Sequence, residues 1–380
     1  MAPPIPSHGF PRTQGLMEAA VAQGVVPGAA IAMLGPSHER PVVLNVGRLS
    51  ARGEEVSDTT SYDLASLTKA LVTSLLAMQA VATGRLRLSD PVSRWLPHVP
   101  DTLTLEHLLT HSSGWPAHER FFAGLVTAPD TLAVPPQGLA RALVDAVART
   151  PCTAPPGTRT LYSDLGFIAL GHVLGEVYEA SLAELFASRV AAPLGLSRLR
   201  FGPARPPVAP TERCPWRQRL IVGQVHDQNA WAMGGVAGHA GLFGTAADVA
   251  SLMQSLLRAH AEQARSEDPI EGPTLRAFWS HRSPAGGTWA LGWDRPSPGA
   301  SLAGTLISRQ AVGHLGFTGC SVWCDPAQAT CVVMLSNRIH PDVTDDPRFR
   351  ALRPAVMDAA LTELGYGTGG RPSADLVGTC

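Results

Sequence analysis

Strand-like segments lie near both ends of the chain, and helical patterns fill the middle. This arrangement restricts the fold more than any other feature, because strands from two distant chain ends pack most simply in one sheet. We therefore predict an α/β fold: an antiparallel sheet built from residues 1–85 and 275–380, flanked by helices, with a mainly helical region at 86–274 and an active site between them. The predicted strands are 28–34, 42–49, 288–294, 310–317, 320–325 and 330–337, and the predicted helices include 66–84, 104–111, 138–149, 165–179, 182–191, 246–263, 273–281 and 347–364.

Composition and charge argue against several classes of function. The net charge of −1 gives no field that would attract nucleic acid or an anionic membrane. No window approaches the about 18 uninterrupted apolar residues of a membrane helix. The N-terminal segment MAPPIPSHGFPRTQG lacks the basic and apolar regions of a signal peptide. We therefore expect a cytoplasmic protein with no membrane span.

The six cysteines give no metal-binding pattern. They include no CxxC pair, and in a large chain without an export signal reduced thiols are the expected state. Cys324 and Cys331 flank the turn DPAQAT, so a disulfide across a hairpin remains the alternative there. We expect neither a metal nor an organic cofactor.

The chain contains a single lysine, Lys69, in the stretch YDLASLTKALV; the other 29 residues of the Lys+Arg total of 30 are arginine. Ser66 lies three positions earlier at the start of a predicted helix, so the two side chains share one face. A serine needs a base to become a nucleophile, and lysine can lose its proton where arginine cannot. This interpretation requires burial or nearby positive charge to lower the pKa of Lys69. Chance survival of one lysine in an arginine-rich composition is the alternative.

Three further segments accompany this Ser-x-x-Lys element in a fixed order. They are TLEHLLTHSSGWP (104–116), PPGTRTLYSDLGFIALGHVLGEV (155–177) and GHLGFTG (313–319), with HDQNAWAMGGVAGHAGLFGTAADVA (226–250) between the last two. Together they resemble the serine β-lactamase and penicillin-binding-protein superfamily, in particular its branch of class C β-lactamases, D,D-peptidases and esterases. The resemblance extends from about residue 25 to residue 364.

The resemblance implies roles for individual residues. Ser66 would be the acylated nucleophile, Lys69 its base or proton relay, and Tyr162 a second group that carries the proton to the leaving group. The backbone N–H groups of Ser66 and Phe317 would form the oxyanion hole. Substrate-binding positions would be Asp164, His314, Gly316 and Thr318.

Two of these positions depart from the family pattern. Asp164 stands where asparagine is usual; it would either pair with Lys69 and raise the pKa of that lysine, or cap the following helix. His314 replaces the lysine of the third motif, and Leu315 removes a hydroxyl. Because histidine is only partly charged near neutral pH, we expect a carboxylated β-lactam to be held less firmly.

Two polar clusters leave alternatives open. Glu106, His107 and His111 would suit either a zinc site or, more simply, a capped helix end. His226, Asp227 and Asn229 would either line the pocket or brace a glycine-rich turn, and His239 is a weaker candidate of the same kind.

The function expected from the sequence is that of a serine hydrolase. Its substrates would be small esters, amides or peptides, with an esterase or amidase favoured. The alternatives are a D-alanyl-D-alanine carboxypeptidase, a weak β-lactamase, or a catalytically silent protein that binds a peptide. The absence of a GxSxG motif disfavours an α/β-hydrolase.

Overall fold

The computed structural model describes residues 9–129, 135–283 and 285–367. Its main sheet has five strands in the order β2-β1-β10-β9-β8, and every neighbouring pair is antiparallel. The strands are β1 (Gly28–Leu34), β2 (Val42–Gly47), β3 (Tyr62–Asp63), β4 (Arg200–Phe201), β5 (Arg213–Cys214), β6 (Arg219–Leu220), β7 (Leu242–Gly244), β8 (Val312–Leu315), β9 (Ser321–Asp325) and β10 (Thr330–Ser336).

Helices cover both faces of this sheet and fill the region between its two chain segments. The α-helices are α1 (Pro11–Ala22), α2 (Leu75–Ala82), α3 (Leu105–Leu109), α4 (Phe121–Leu125), α5 (Leu139–Arg149), α6 (Asp164–Tyr178), α7 (Leu182–Phe186), α8 (Gln228–Ala232), α9 (Ala246–His260), α10 (Gly272–Ser280) and α11 (Pro347–Glu363). Two π-helical segments, Lys69–Ser74 and Ala187–Ala191, adjoin α2 and α7.

The two chain ends meet where β1 pairs with β10. Ala29 lies opposite Ser336 and Leu34 opposite Cys331, which joins the N-terminal hairpin to the C-terminal one. Alternate residues of β1 enter two different cores because side chains alternate along a strand. Ile31 packs in the layer of α1 and α11, whereas Ala32 packs in the layer that contains α9. The predicted fold, a sheet from both chain ends flanked by helices, is therefore confirmed.

The strand predicted at 288–294 is wrong. Gly292 has a φ of +78° there, and a Cβ at this position would lie 1.7 Å from the Ser74 hydroxyl oxygen. The segment packs closely against the π-helical segment Lys69–Ser74 instead of extending along the sheet. Within it, only Asp294 forms a β-bridge, to Gly313 of β8. The sequence pattern also did not predict the helix α1. In addition, α9 packs on β1 and β10 although the predicted division placed it in the helical region.

The structure bears on the predictions about the cysteines and about a membrane span. Cys324 and Cys331 lie directly opposite each other in β9 and β10, and both are free thiols. Among the described residues, no helix combines the length and the apolar character needed to cross a membrane.

Candidate active site

Ser66 lies where the chain turns from β3 into the nucleophile helix. Ala65, the residue before it, has a φ of +47°, and its N–H donates to the Asp63 carboxylate at 2.9 Å. The other oxygen of Asp63 accepts from the His226 N–H at 2.6 Å, so one buried carboxylate ties this turn to the 226 segment. The turn leaves Ser66 partly exposed in a cavity of about 610 Å³.

Lys69 is fully buried beneath Ser66. Its Nζ donates to Ser66 Oγ at 2.9 Å and to the carbonyl oxygen of His239 at 3.2 Å. The same nitrogen lies 2.7 Å from Asp164 Oδ1. The predicted partnership of Ser66 and Lys69 is therefore present in the geometry, and Asp164 takes part in it.

The ion pair with Asp164 determines the charge of Lys69. Burial alone would lower the pKa of Lys69, but the charges of Asp164 and Tyr162 and hydrogen bonds to both outweigh it and raise that pKa. This is the opposite of the lowered pKa that the simplest sequence interpretation required. The alternative in which Asp164 pairs with Lys69 is the one that the structure contains.

Asp164 does not cap the helix that follows it. Ser163 occupies the N-cap position, and Asp164 is the first residue of α6. Its second oxygen, Oδ2, lies 3.1 Å from Nδ1 of His118. Burial opposes ionisation of Asp164, but Lys69 and His118 together hold the pKa of its carboxyl well below the usual range. Asp164 is thus a carboxylate paired with the Lys69 ammonium on one oxygen and in contact with His118 on the other.

Tyr162 completes the group around the serine. Lys69 and Ser66 both lie close enough to lower the pKa of its hydroxyl, and Lys69 Nζ lies 4.9 Å from the centre of the ring. The His111 ring packs against it at 4.6 Å and accepts the Ser163 N–H at 3.1 Å. Burial raises the pKa of Tyr162, so the group is a phenol that can donate or pass on a proton.

His314 lies on β8, with its ring centre 6.1 Å from that of Tyr162, and is almost fully buried. Burial, reinforced by the nearby Lys69, lowers the pKa of His314 to about 3. One ring nitrogen, Nδ1, is hydrogen-bonded to the Leu315 carbonyl oxygen at 2.8 Å. The side chain is therefore a neutral imidazole, less charged even than the sequence argument assumed.

The end of β8 approaches the nucleophile segment closely. A Cβ on Gly316 would lie 2.7 Å from the Leu64 carbonyl oxygen, so only glycine fits there without movement. Within the described residues, the N–H groups of Ser66 and Phe317 have no hydrogen-bond partner. Both N–H groups thus remain available for a substrate oxygen, as the predicted oxyanion hole requires.

Thr318 is positioned differently from the predicted substrate contact. The side chain is buried, and its hydroxyl donates to the Asp63 carbonyl oxygen at 2.7 Å. It is not among the described residues that line the cavity. Thr318 therefore fastens the end of β8 to the nucleophile turn.

The polar clusters divide between cavity and scaffold. His226, Asp227 and His239 line the cavity, whereas Asn229 is buried and bonds the backbone of Phe122 and Glu119. His107 forms a capping box with Thr104 at the start of α3, as the simpler alternative for that cluster predicted.

Several cavity-lining residues were not identified from the sequence. They lie in separate segments, Arg353 on α11 and the others in loops, and no motif marked them before the fold brought them together. The missed residues are His118, Trp289, Asp294, Arg338 and Arg353.

One carboxylate oxygen each of Asp164 and Asp227 and a ring nitrogen of His118 lie within 4.8 Å of one another, but the Asp164 carboxylate is already bound to Lys69.

Comparison with known proteins gives one consistent family. A model of the β-lactamase family matches residues 13–356. A putative D-alanyl-D-alanine carboxypeptidase of Salmonella paratyphi A is 30% identical over 359 residues, which cover 84% of this chain and 80% of that protein. One of Escherichia coli K12 is 31% identical over 320 residues, 75% of this chain and 71% of the other.

A solved structure supports the fold. It is described as EstCE1, a hydrolase with promiscuous acyltransferase activity. It matches with a TM-score of 0.72 and 22% identity, covering 94% of this chain and 98% of its own.

Proposed function

The chain belongs to the β-lactamase family of serine hydrolases, and from this premise we propose that it hydrolyses small esters or amides through an acyl-enzyme on Ser66. The observation that carries the proposal is the 2.9 Å contact between Lys69 Nζ and Ser66 Oγ. A buried lysine in direct contact with a serine places a proton acceptor at the nucleophile once the amine is neutral.

The proposed reaction uses each group in turn. Ser66 attacks the substrate carbonyl while its proton passes to Lys69, and the N–H groups of Ser66 and Phe317 stabilise the oxyanion. Tyr162, which lies beside Lys69 and Ser66, delivers that proton to the leaving group. Water then attacks the acyl-enzyme and gives up a proton to the same groups, which pass it to the Ser66 oxygen as the acyl bond breaks.

The neutral state of His314 supports an uncharged substrate. A carboxylate held on β8 by His314 would gain no ion pair, because the pKa of the ring is about 3. Binding of an ester without a carboxylate is not weakened by a neutral His314. Esterase or amidase activity is therefore the first candidate.

A specific observation favours a second candidate, a D-alanyl-D-alanine carboxypeptidase. Two arginines, Arg338 and Arg353, line the cavity near Phe317, and the Arg338 guanidinium lies 5.4 Å from the centre of its ring. Burial lowers the pKa of Arg353 only to about 10, so both side chains are cations at neutral pH. They offer the positive charge that His314 lacks. The relatives from Salmonella paratyphi A and Escherichia coli K12 are named as putative D-alanyl-D-alanine carboxypeptidases.

The test compares wild type, Ser66→Ala and Arg338→Gln on three substrates. These are p-nitrophenyl acetate, a peptide ending in D-Ala-D-Ala, and a chromogenic cephalosporin. We expect ester turnover that disappears in Ser66→Ala and an acyl adduct on Ser66 by mass spectrometry. Peptide turnover that falls in Arg338→Gln, while ester turnover persists, would establish the second candidate. Absence of turnover and of any adduct in the wild type would overturn the proposal in favour of a silent binding protein.

A further inference from the structure

A continuous chain of polar contacts leads from the buried Lys69 to the protein surface. Lys69 is completely buried, its Nζ is 2.7 Å from one oxygen of Asp164, and the other oxygen is 3.1 Å from His118 Nδ1. The His118 side chain is 39% exposed, so it exchanges protons with water directly. Asp164 is therefore the link between a base that cannot reach water and a histidine that can.

The resting charges present a difficulty for a lysine base. Asp164 stabilises Lys69 as an ammonium ion, and an ammonium ion cannot accept the proton of Ser66. Some other arrangement of protons must leave Lys69 neutral without stranding the carboxylate of Asp164 as an unpaired buried charge, which would be costly.

His118 supplies that arrangement, since Asp164 needs only one cationic partner. With the proton on Lys69, the three groups are ammonium, carboxylate and neutral imidazole. With the proton on His118, they are neutral amine, carboxylate and imidazolium. The net charge of the three groups is zero in both states, and Asp164 remains paired in both.

We propose that His118 is a positioning residue that takes over the cationic charge opposite Asp164 and so leaves Lys69 as the neutral base for Ser66. This inference rests on the proposed acyl-enzyme function. The step breaks one Lys69 Nζ–H bond and forms one His118 Nδ1–H bond. Asp164 accepts the Lys69 proton on Oδ1, the protonated carboxyl rotates to bring this oxygen to His118, and transfer of the proton to Nδ1 restores the carboxylate. Before the transfer, the neutral ring of His118 carries its proton on Nε2, so that Nδ1 can accept a proton.

The surroundings support this exchange. In water a lysine holds its proton more tightly than a histidine, with ordinary pKa values of about 10.4 and about 6.5. Burial of Lys69 penalises its ammonium form but is outweighed by Asp164 and Tyr162, and the hydrogen bond to Asp164 raises the pKa of His118 as well, so Asp164 stabilises a cation on either side of it. The other titratable groups that act on these three are Tyr162, His111, His314, His239, Asp227 and Glu119.

The proposal predicts where activity appears on the pH scale. In the wild type, kcat/KM should rise as the three groups lose their first proton, which in this arrangement is that of His118, whose pKa Asp164 raises above its ordinary value. Without His118, Lys69 keeps its proton until it titrates alone against Asp164, at alkaline pH. Below the new midpoint, each pH unit of displacement lowers kcat/KM about tenfold.

The experiment measures kcat/KM for p-nitrophenyl acetate from pH 5 to 10 in wild type, His118→Asn and His98→Asn. Asparagine retains a polar group that can contact Asp164 but cannot accept the charge. His98 is an exposed histidine that does not line the cavity, and its φ of +79° suits asparagine, so it is the matched control. We expect the midpoint to move up by at least one pH unit in His118→Asn only, with the rate recovering towards wild type at pH 10.

Two results would overturn the proposal. A rate lowered equally at every pH, with an unmoved midpoint, would show that His118 acts only in packing. An unchanged profile would show that His118 takes no part. In both cases turnover in the wild type that Ser66→Ala abolishes would leave the proposed function standing. Turnover that survives in Ser66→Ala would overturn both.

Discussion

Two groups of titratable residues line the same cavity, and burial affects their charges in opposite ways. The ion-paired group consists of Lys69, Asp164 and His118, and each of its charges has a partner within 3.1 Å. The strand-edge group consists of His314 on β8 and Asp294, whose backbone is hydrogen-bonded to Gly313. Neither of these two side chains has an ionic partner among the described residues.

The difference shows in the pKa values. Asp164 is buried, yet its cationic neighbours keep its pKa low. Asp294 lacks such neighbours, and burial raises its pKa to about 6, although a hydrogen bond from Thr288 opposes the shift. Burial of a group with a partner thus preserves charge, and burial of a group without one disfavours it. The cavity is therefore lined by one group whose charges are stabilised and by another whose ionisation is opposed.

Asp164→Asn should have the largest effect on the contrast between the two groups. It leaves Lys69 buried with no anion beside it, so Lys69 would then behave as the strand-edge group does. We expect the free energy of unfolding at pH 7 to fall by about 3 kcal/mol, as when one partner of a buried ion pair is removed. Chemical denaturation of wild type and variant at pH 7 measures this difference.

The pH dependence of that loss provides its control. The folded-state pKa of Asp164 is lowered, so its contribution to stability is present above the unfolded-state pKa of about 3.9 and is lost as the pH falls further. The difference between wild type and Asp164→Asn should therefore be steady from pH 5 to 8 and shrink below pH 4. A difference that stays constant down to pH 2 would mean that the loss comes from packing.

The sequence predicted the ion-paired group better than the strand-edge group. Ser66, Lys69, Tyr162 and Asp164 lie in motifs whose order is visible in the chain. The pairing of Asp164 with Lys69 was an explicit alternative because the residue type departs from the pattern. His118 follows a recognisable segment by only two residues, yet nothing in a one-dimensional pattern places its ring against Asp164.

The same limit applies to the fold. Strand-like segments in the sequence identified β1 and the β9–β10 hairpin, but the same kind of signal also predicted a strand at 288–294. That prediction failed because Gly292 packs against Ser74, and close backbone contacts between distant segments leave no local signal. The neutral state of His314 was likewise underestimated, since burial is a property of the assembled cavity.

Asp294→Asn should sharpen the comparison with a smaller effect of opposite sign. Because the folded-state pKa of Asp294 is raised, its ionisation costs stability as the pH rises from about 4 to 6, and the cost is complete above pH 7. Asparagine can still accept the hydrogen bond from Thr288 but carries no charge. We expect a gain of about 1–2 kcal/mol at pH 8, smaller than the full linkage value of about 3 kcal/mol.

Thermal or chemical unfolding at pH 4 and at pH 8 measures this change. The gain should be much smaller at pH 4, where the carboxyl is protonated in the folded chain and about half protonated in the unfolded chain. Equal stability of the two proteins at pH 8 would show that Asp294 has a compensating partner, and the contrast with Asp164 would fail.

His314→Gln should have the smallest effect, a change in rate with no change in pH midpoint. His314 is neutral from pH 5 to 9 because its pKa is about 3, so replacing it removes no charge in that range. The pH profile of kcat/KM for an uncharged ester, measured as for His118→Asn, gives the midpoint. Movement of the midpoint would mean that His314 carries charge near neutral pH. His314 would then be charged as Lys69 and Asp164 are, and the contrast between the two groups would fail.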